Sequence, residues 1–336
     1  MDYLLLEASG RLGGRILSRG IDAAGEHRDG AYDLGPAWYW PAFQQRMPAL
    51  VRELGLRPFA QDVQGALMWE EAAGHCTRFD QGAPSDGSMR VEGGLGALVR
   101  AMAARLDSAR VQRGTTVTEL HATDAGVRVT AVGAGGASRA FTAGTVITAL
   151  PLRLLARSIR MRPQPPPAVR DAWIGVPTWM AGQAKVIAVY AEPFWRQHGL
   201  SGEARSRVGP LVEIHDASGP GCLPALTGFV GVPPDARRDA GDRVVGAAVQ
   251  QLARLFGPPA GSPVGTLYVD WARDPLVATE DDIAPLMVHP SYGGHPPPTG
   301  AWAGRLLLAG TEAAPANGGY MEGALEASEI AVAAIT

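Results

Sequence analysis

Lysine is almost missing from this 336-residue chain: of its 30 basic residues, 29 are arginine and one is Lys185. An arginine bias of this kind fits a GC-rich coding sequence, so the retained lysine is the anomaly. Cysteine is equally scarce. Cys76 and Cys222 lie far apart with no CxxC spacing, which excludes a disulfide scaffold or a zinc ribbon and fits reduced thiols in a cytoplasmic protein. There is no run of Lys and Arg, and the net charge is −3. The electrostatic footprint of a nucleic-acid binder is therefore lacking. No apolar stretch reaches the roughly 18–20 residues of a membrane span. The start, Met1-Asp2-Tyr3-Leu4-Leu5-Leu6-Glu7, has no basic region and too short an apolar run for a signal peptide. Internal repeats and tails of like charge are absent as well. Glycine (43) and proline (27) together make about a fifth of the chain, below the ~25–30% of low-complexity sequence.

What is present is a chain that can bury a large core, with 46% hydrophobic residues and a length that argues for about two domains. Residues 3–8 (YLLLEA) predict a buried strand that ends in an acid and leads into the glycine-rich SGRLGGR. The pattern predicts helices over 43–54, 93–107, 241–257 and 318–335. It predicts strands in VQRGTTVTEL, GVRVTAV, RAFTAGTVITALP, GQAKVIAVY (182–190) and RLLLAG (305–310). Residues 58–90 read as irregular apart from a short hairpin around Ala66–Trp69. Mixed strands and helices in uneven runs favour an α/β fold with a second, mixed domain.

Three motifs can carry chemistry. Glu7, at the tip of a strand, is placed as the carboxylate that accepts ribose hydroxyls in a dinucleotide fold. Gly13, Gly14 and Arg15 follow at the right distance to approach a pyrophosphate through backbone and guanidinium, although a plain tight turn explains them about equally well. No GxGxxG precedes Glu7, which has six residues ahead of it. The near-miss at Gly133–Ser138 lies between two strands and reads as a hairpin loop. Lys185 sits mid-strand among apolar neighbours, on one face with Ile187 and Val189. Where arginine does every other basic task, a desolvated lysine offers a compact group with a tunable pKa; an ordinary edge lysine is the competing reading. Tyr320, in Gly318-Gly319-Tyr320-Met321-Glu322-Gly323, opens the last helix, where free backbone N–H groups can meet an anion or a carbonyl.

Taken in order, LLLEASGRLGGR, YDLGPAW, AKVIAVYAEPFWR and LLLAGTEAAPANGGYMEGALEA resemble the flavin-containing monoamine oxidase family over nearly the whole chain. The resemblance implies an FAD-binding, Rossmann-like α/β domain of the glutathione-reductase type, made of residues 1–58, 91–165 and 296–336, with its first βα unit missing. An α+β substrate domain would comprise 59–90 and 166–295. Carried over by position, Glu7 would bind the adenosine ribose, and Gly13, Gly14 and Arg15 would line the pyrophosphate and ribityl region. Gly35, Pro36, Ala37 and Trp38 would approach the flavin ring, and Val117 would contact the adenine side. Gly310, Thr311 and Glu312 would hold the ribityl chain and diphosphate; Gly319 and Met321 would meet the flavin carbonyl. Lys185 corresponds to the lysine that holds a water near flavin N5, and Tyr320 to one wall of an aromatic cage around the amine.

The chain departs from the family pattern in four respects. The first strand, its glycine loop and the first helix are missing, and the stretch between Leu56 and Gly93 is short. The second cage aromatic is not where it would fall, acids standing instead at Glu280–Asp282. No cysteine lies there to form a thioether, so the FAD would be non-covalent. The implied activity is oxidation of a small-molecule amine by hydride transfer to flavin N5, with O2 reoxidising the cofactor to give peroxide. Two alternatives stay open: a flavin enzyme acting on a non-amine substrate, for which the acids at 280–282 could receive a cationic group, and an FAD-free pseudoenzyme. Neither a membrane nor a nucleic acid is an expected partner, and a homodimer is left open.

Overall fold

The computed structural model describes residues 2–80, 87–283, 286 and 288–335. Its largest sheet has seven strands in the order Gly265–Asp270, Ala184–Val189, Ala225–Val230, Leu211–Asp216, Leu200–Ser206, Ala66–Glu70 and Cys76–Phe79. All neighbours are antiparallel except Leu200–Ser206 with Ala66–Glu70. The even residues of the Lys185 strand, Ala184, Val186 and Ala188, pack on the helix Arg243–Phe256, which contributes Val244, Ala248, Leu252, Leu255 and Phe256. Those helix positions recur at intervals of three and four, the spacing of one buried face. Each such large apolar side chain contributes about 1.5–3 kcal/mol by leaving water. The odd residues Ile187 and Val189 face the opposite side, against Ile21, Tyr32 and Leu34. Lys185 shares that second face, as alternation predicted.

The rest is α/β. Leu5–Leu6 pairs in parallel with Val111–Gln112, and Val146–Thr148 in parallel with Leu306–Leu308. A four-stranded sheet runs Ser138–Ala143, Gly126–Gly133, Thr115–Thr123, Arg160–Arg162. The Gly133–Ser138 segment is the hairpin turn expected of it. Trp173 and Trp302, both fully buried, fill the core between this sheet and the helix Leu152–Ser158.

Two expectations need correction. The 3–8 strand is short and half-exposed rather than buried: Tyr3 and Leu4 are open to solvent, and Leu5–Leu6 has one strand partner among the described residues. Residues 58–90 are more regular than expected. Pro58–Ala60 pairs with Met89–Val91, and the Ala66–Glu70/Cys76–Phe79 hairpin joins the large sheet. These short strands are held by tertiary pairing, which local propensity does not announce. Residues 81–86 lie outside the described residues.

The helix Arg46–Glu53 has no side-chain cap of its own. Glu322, buried in the last helix Met321–Ala333, supplies one from 275 residues away: its carboxylate accepts the backbone N–H groups of Gln45, Arg46 and Met47 at 2.8–3.0 Å. Free N–H groups and the positive end of the dipole make this a strong site for a carboxylate. Glu322→Ala should therefore cost about 2–4 kcal/mol, read by chemical denaturation. A loss below about 0.5 kcal/mol, the range of ordinary surface substitutions, would contradict this role.

Candidate active site

Four chain segments converge beside the Lys185 face of the large sheet. The first is the turn Gly13–Arg15. Gly13 has φ +110°, and a Cβ there would meet Ile16 O at 3.0 Å and Val99 Cγ2 at 3.1 Å. The second is Asp33–Trp38. A Cβ on Gly35 would fall 1.9 Å from Arg15 O, so only glycine allows these two backbones to touch. The third is Gly310–Glu312, and the fourth Gly319–Met321.

Lys185 ties the second segment to the sheet. It is 4% exposed, and its Nζ donates to Gly35 O at 2.6 Å and to Asp33 O at 3.1 Å. The rings of Phe229 and Trp38 lie 5.0 and 5.7 Å from Nζ, within cation–π range. Burial lowers the Lys185 pKa to about 8; Asp33 pulls it back up and Arg90 pushes it further down. Asp33 is wholly buried, and desolvation raises its pKa against the hydrogen bond from Ser18 and the nearby Arg90 and Lys185. Its Oδ1 accepts from Ser18 Oγ and from Leu95 N–H.

The third and fourth segments interlock. Thr311 Oγ1 donates to Tyr320 O at 2.6 Å. Arg15 Nη2 donates to Glu312 Oε1 at 2.7 Å, and Arg15 Nη1 to Trp179 O at 3.2 Å. Glu312 is fully buried and its Oε2 has no partner among the described residues. Thr148 Oγ1 is likewise unpartnered, and Thr148 O accepts the N–H of Ala309, next to Gly310. Unmet buried polar atoms cost about 1–3 kcal/mol each, so this corner has the donor and acceptor capacity that a polar cofactor would use.

The sequence-predicted residues fall into two linked groups. Arg15, Gly35 and Lys185 make direct contacts, as do Arg15 with Glu312 and Thr311 with Tyr320. Pro36 and the buried Ala37 carry the chain from Gly35 to Trp38, whose Nε1 donates to Gln61 Oε1. Gly14 has φ +54° and open space where a Cβ would project. Gly310 has Leu150 O 2.4 Å from its would-be Cβ, and Met321 packs with Tyr39 and Met47. Glu7 and Val117 form the other group: Glu7 O accepts Thr115 N–H at the start of the Val117 strand, and Glu7 Oε1 accepts Ser9 N–H at 2.7 Å.

Tyr320 is 37% exposed. Two neighbours were not foreseen: His289 stacks on it, centroids 4.9 Å apart and planes 13° apart, and Trp40 meets it edge-on at 6.2 Å. His289 also touches Trp179 and Tyr292. Gly318 and Gly319 are glycines because these rings press on them; a Cβ would lie 2.4 Å from Tyr292 and 2.8 Å from His289 respectively. Asp281 and Asp282 are already engaged and do not stand free to receive a cationic substrate. Asp282 is buried against Arg153, with Thr178 and Thr279 also donating to it, and Asp281 binds Arg157. Arg153 and Arg157, on the helix Leu152–Ser158, neutralise Asp282 and Asp281, while Glu280 is exposed.

Comparison with known proteins came out the same way in sequence and in structure. The family model described as flavin containing amine oxidoreductase matches residues 1–70 and 70–336. A protein of Mycobacterium tuberculosis named as the flavin-containing monoamine oxidase AofH is 30% identical over 302 residues, covering 84% of this chain and 60% of that one. A flavin-containing monoamine oxidase A of Dictyostelium discoideum is 31% identical over 193 residues, 54% of this chain and 39% of its own length. The chain thus spans 60% and 39% of these two relatives' lengths, less than two thirds of either. Among solved structures, putrescine oxidase bound to putrescine superposes with a TM-score of 0.78 at 19% identity, covering 100% of this chain and 94% of that one. Cyclohexylamine oxidase from Brevibacterium oxydans gives 0.77 at 19%, covering 99% and 92%. At such identities the superpositions establish the fold.

The titration of Lys185 gives a direct check on the site. Between pH 8 and 10.5 the unfolded chain keeps the lysine proton while the folded one has lost it, so stability rises with pH across that window. A depression of this size corresponds to about 3 kcal/mol. Relative to Lys185→Met, the wild type should gain about that much unfolding free energy from pH 8 to 10.5. An equal difference at both pH values would contradict the assignment.

Proposed function

From the premise that this chain belongs to the flavin containing amine oxidoreductase family, we propose that it is an FAD-dependent amine oxidase using O2 as acceptor. The observation that carries the reading is the corner where Arg15, Glu312, Gly35 and Lys185 meet beside Tyr320, with Glu312 Oε2 and Thr148 Oγ1 unpartnered among the described residues. The chemistry that a bound flavin supplies is acceptance of a hydride from the carbon bearing the amine and return of the electrons to O2 as peroxide.

The residues of this chain divide the remaining work. Gly310, Thr311 and Glu312 hold the cofactor's polar chain, with Arg15 fixing the Glu312 carboxylate, and Gly13 and Gly14 allow close backbone approach. Gly35 to Trp38 flank its ring and Met321 offers a backbone N–H at the start of the last helix. Glu7 and Val117 serve the adenosine end, which is what distinguishes FAD from a mononucleotide. The cofactor is held without a covalent bond: Cys76 lies on the edge strand of the large sheet and Cys222 packs near Ile21 and Tyr32. The cytoplasm suits both thiols. No helix among the described residues is long and apolar enough to cross a membrane.

Tyr320 orients the amine by its ring. His289 covers one face and leaves the rest for the substrate. Lys185, with a pKa of about 8, holds a proton at Nζ near neutrality and releases it within the range enzymes use. Phe229 and Trp38 keep bulk water from it.

The test is direct. The protein incubated with FAD should quench flavin fluorescence and release peroxide on addition of a primary amine. Glu312→Ala should weaken FAD binding at least tenfold, about 1.4 kcal/mol. Absence of FAD binding, or binding unaffected by Glu312→Ala, would overturn the reading.

A further inference from the structure

Away from the corner that Lys185 and Arg15 build, a separate cavity opens between the helix Leu152–Ser158, the helix Pro234–Ala240 and the segment 272–283. Its volume is about 510 Å³, within the roughly 300–1,000 Å³ of small-molecule sites. Leu154, Ala278 and Ile283 supply apolar wall. Arg157, Arg238 and Arg273 bring three guanidinium groups to it, one from each helix and one from the turn Trp271–Arg273.

The charges around this cavity are unevenly engaged. Arg157 donates through Nε and Nη2 to Asp281 Oδ2 at 3.0 and 2.7 Å, so its orientation is fixed. Arg238 meets Asp235 at 3.3 Å, and both side chains are exposed. A surface pair of that kind contributes about 0–1 kcal/mol, too little to hold Arg238 back from a ligand. The Arg273 guanidinium has no hydrogen-bond or ion-pair partner among the described residues. The wall also carries two carboxylates, Glu280 and Asp281. Asp281 is engaged by Arg157, and Glu280 is exposed. Cationic groups are therefore in excess, and two of them are available.

We propose that this cavity is a binding site for a phosphomonoester: a dianion carried on a small apolar body. Guanidinium groups receive phosphate oxygens as planar forks. Arg238 and Arg273 provide two such forks from different elements, and Arg157 adds a third positive charge whose direction Asp281 sets. Two available cations match a doubly charged headgroup better than a carboxylate, while Leu154, Ala278 and Ile283 take the apolar part. An amine is disfavoured by the same three guanidiniums, so this is a site for a ligand other than the substrate, and the inference stands apart from the oxidase reading. The cavity is not isolated from the rest of the molecule. Asp281 also lines a smaller cavity of about 120 Å³ that reaches Thr178 and Trp179.

The probe is phenyl phosphate, titrated calorimetrically into the FAD-incubated full chain at about pH 7.5, above the second phosphate pKa near 6. Benzoate and inorganic phosphate serve as comparisons for the charge and for the apolar body. Phenyl phosphate should bind at least tenfold more tightly than either. Arg238→Ala and Arg273→Ala change exposed side chains and leave the fold intact; each should weaken phenyl phosphate at least fivefold. Glu280→Gln removes the one unengaged acid of the wall and should strengthen binding about twofold. Phenyl phosphate bound no more tightly than benzoate, or equally well in either arginine variant, would overturn the site. Weaker binding in Glu280→Gln would overturn it too, since the acid rather than the arginines would then be holding the ligand.

Discussion

One buried lysine amine ties the large sheet to the segment Asp33–Gly35. Lys185 projects from the middle of the large sheet and donates to the carbonyls of Asp33 and Gly35. Those carbonyls belong to a segment that fixes much else. Asp33 Oδ1 positions the start of the helix Gly96–Ala103 through Leu95 N–H, Trp271 Nε1 donates to Leu34 O, and Gly35 lies against the backbone of Arg15. Arg15 in turn carries Glu312. A guanidinium could not substitute: it is planar, larger and permanently charged, whereas the ammonium fits between Phe229 and Trp38 and can lose its proton.

Among the described residues, several buried polar atoms have no partner. Glu312 Oε2 and Thr148 Oγ1 lie by Gly310; Glu203 Oε2 and Thr227 Oγ1 lie beyond Trp38. Trp38 stands over Lys185 on one side and His215 on the other, whereas Thr148 belongs to a separate two-stranded sheet and Glu312 to a short helical turn. The surrounding ion pairs, Arg153 with Asp282 and Arg237 with Asp270, are closed on themselves and brace the strand ends and loops that frame the Lys185 face.

The parts of this arrangement legible in the sequence are those with local signatures. Lys185 stood out because arginine fills every other basic position, and period-two alternation placed it on the correct face. The glycines of the Gly13, Gly35 and Gly318–Gly319 turns announced close approach, which the rings of Tyr292 and His289 explain at the last pair. What local pattern could not convey is partnership across the chain. Arg15 meets Glu312 across 297 residues, and Glu322 caps a helix 275 residues away. Asp281 and Asp282 looked available because their partners Arg157 and Arg153 are distant in sequence. Glu203, Glu213 and His215 alternate like any solvated strand face, and only the register of adjacent strands turns them into one cluster.

Because Lys185 is the only lysine in the chain, its titration can be followed without assignment. Protein labelled with 13C,15N-lysine should give one side-chain Cε–Nζ signal, whose pH titration reports the buried ammonium alone. The account predicts a midpoint near 8. A midpoint near 10.4, the value of a solvated lysine, would show that Lys185 is not the desolvated ammonium on which this site is built.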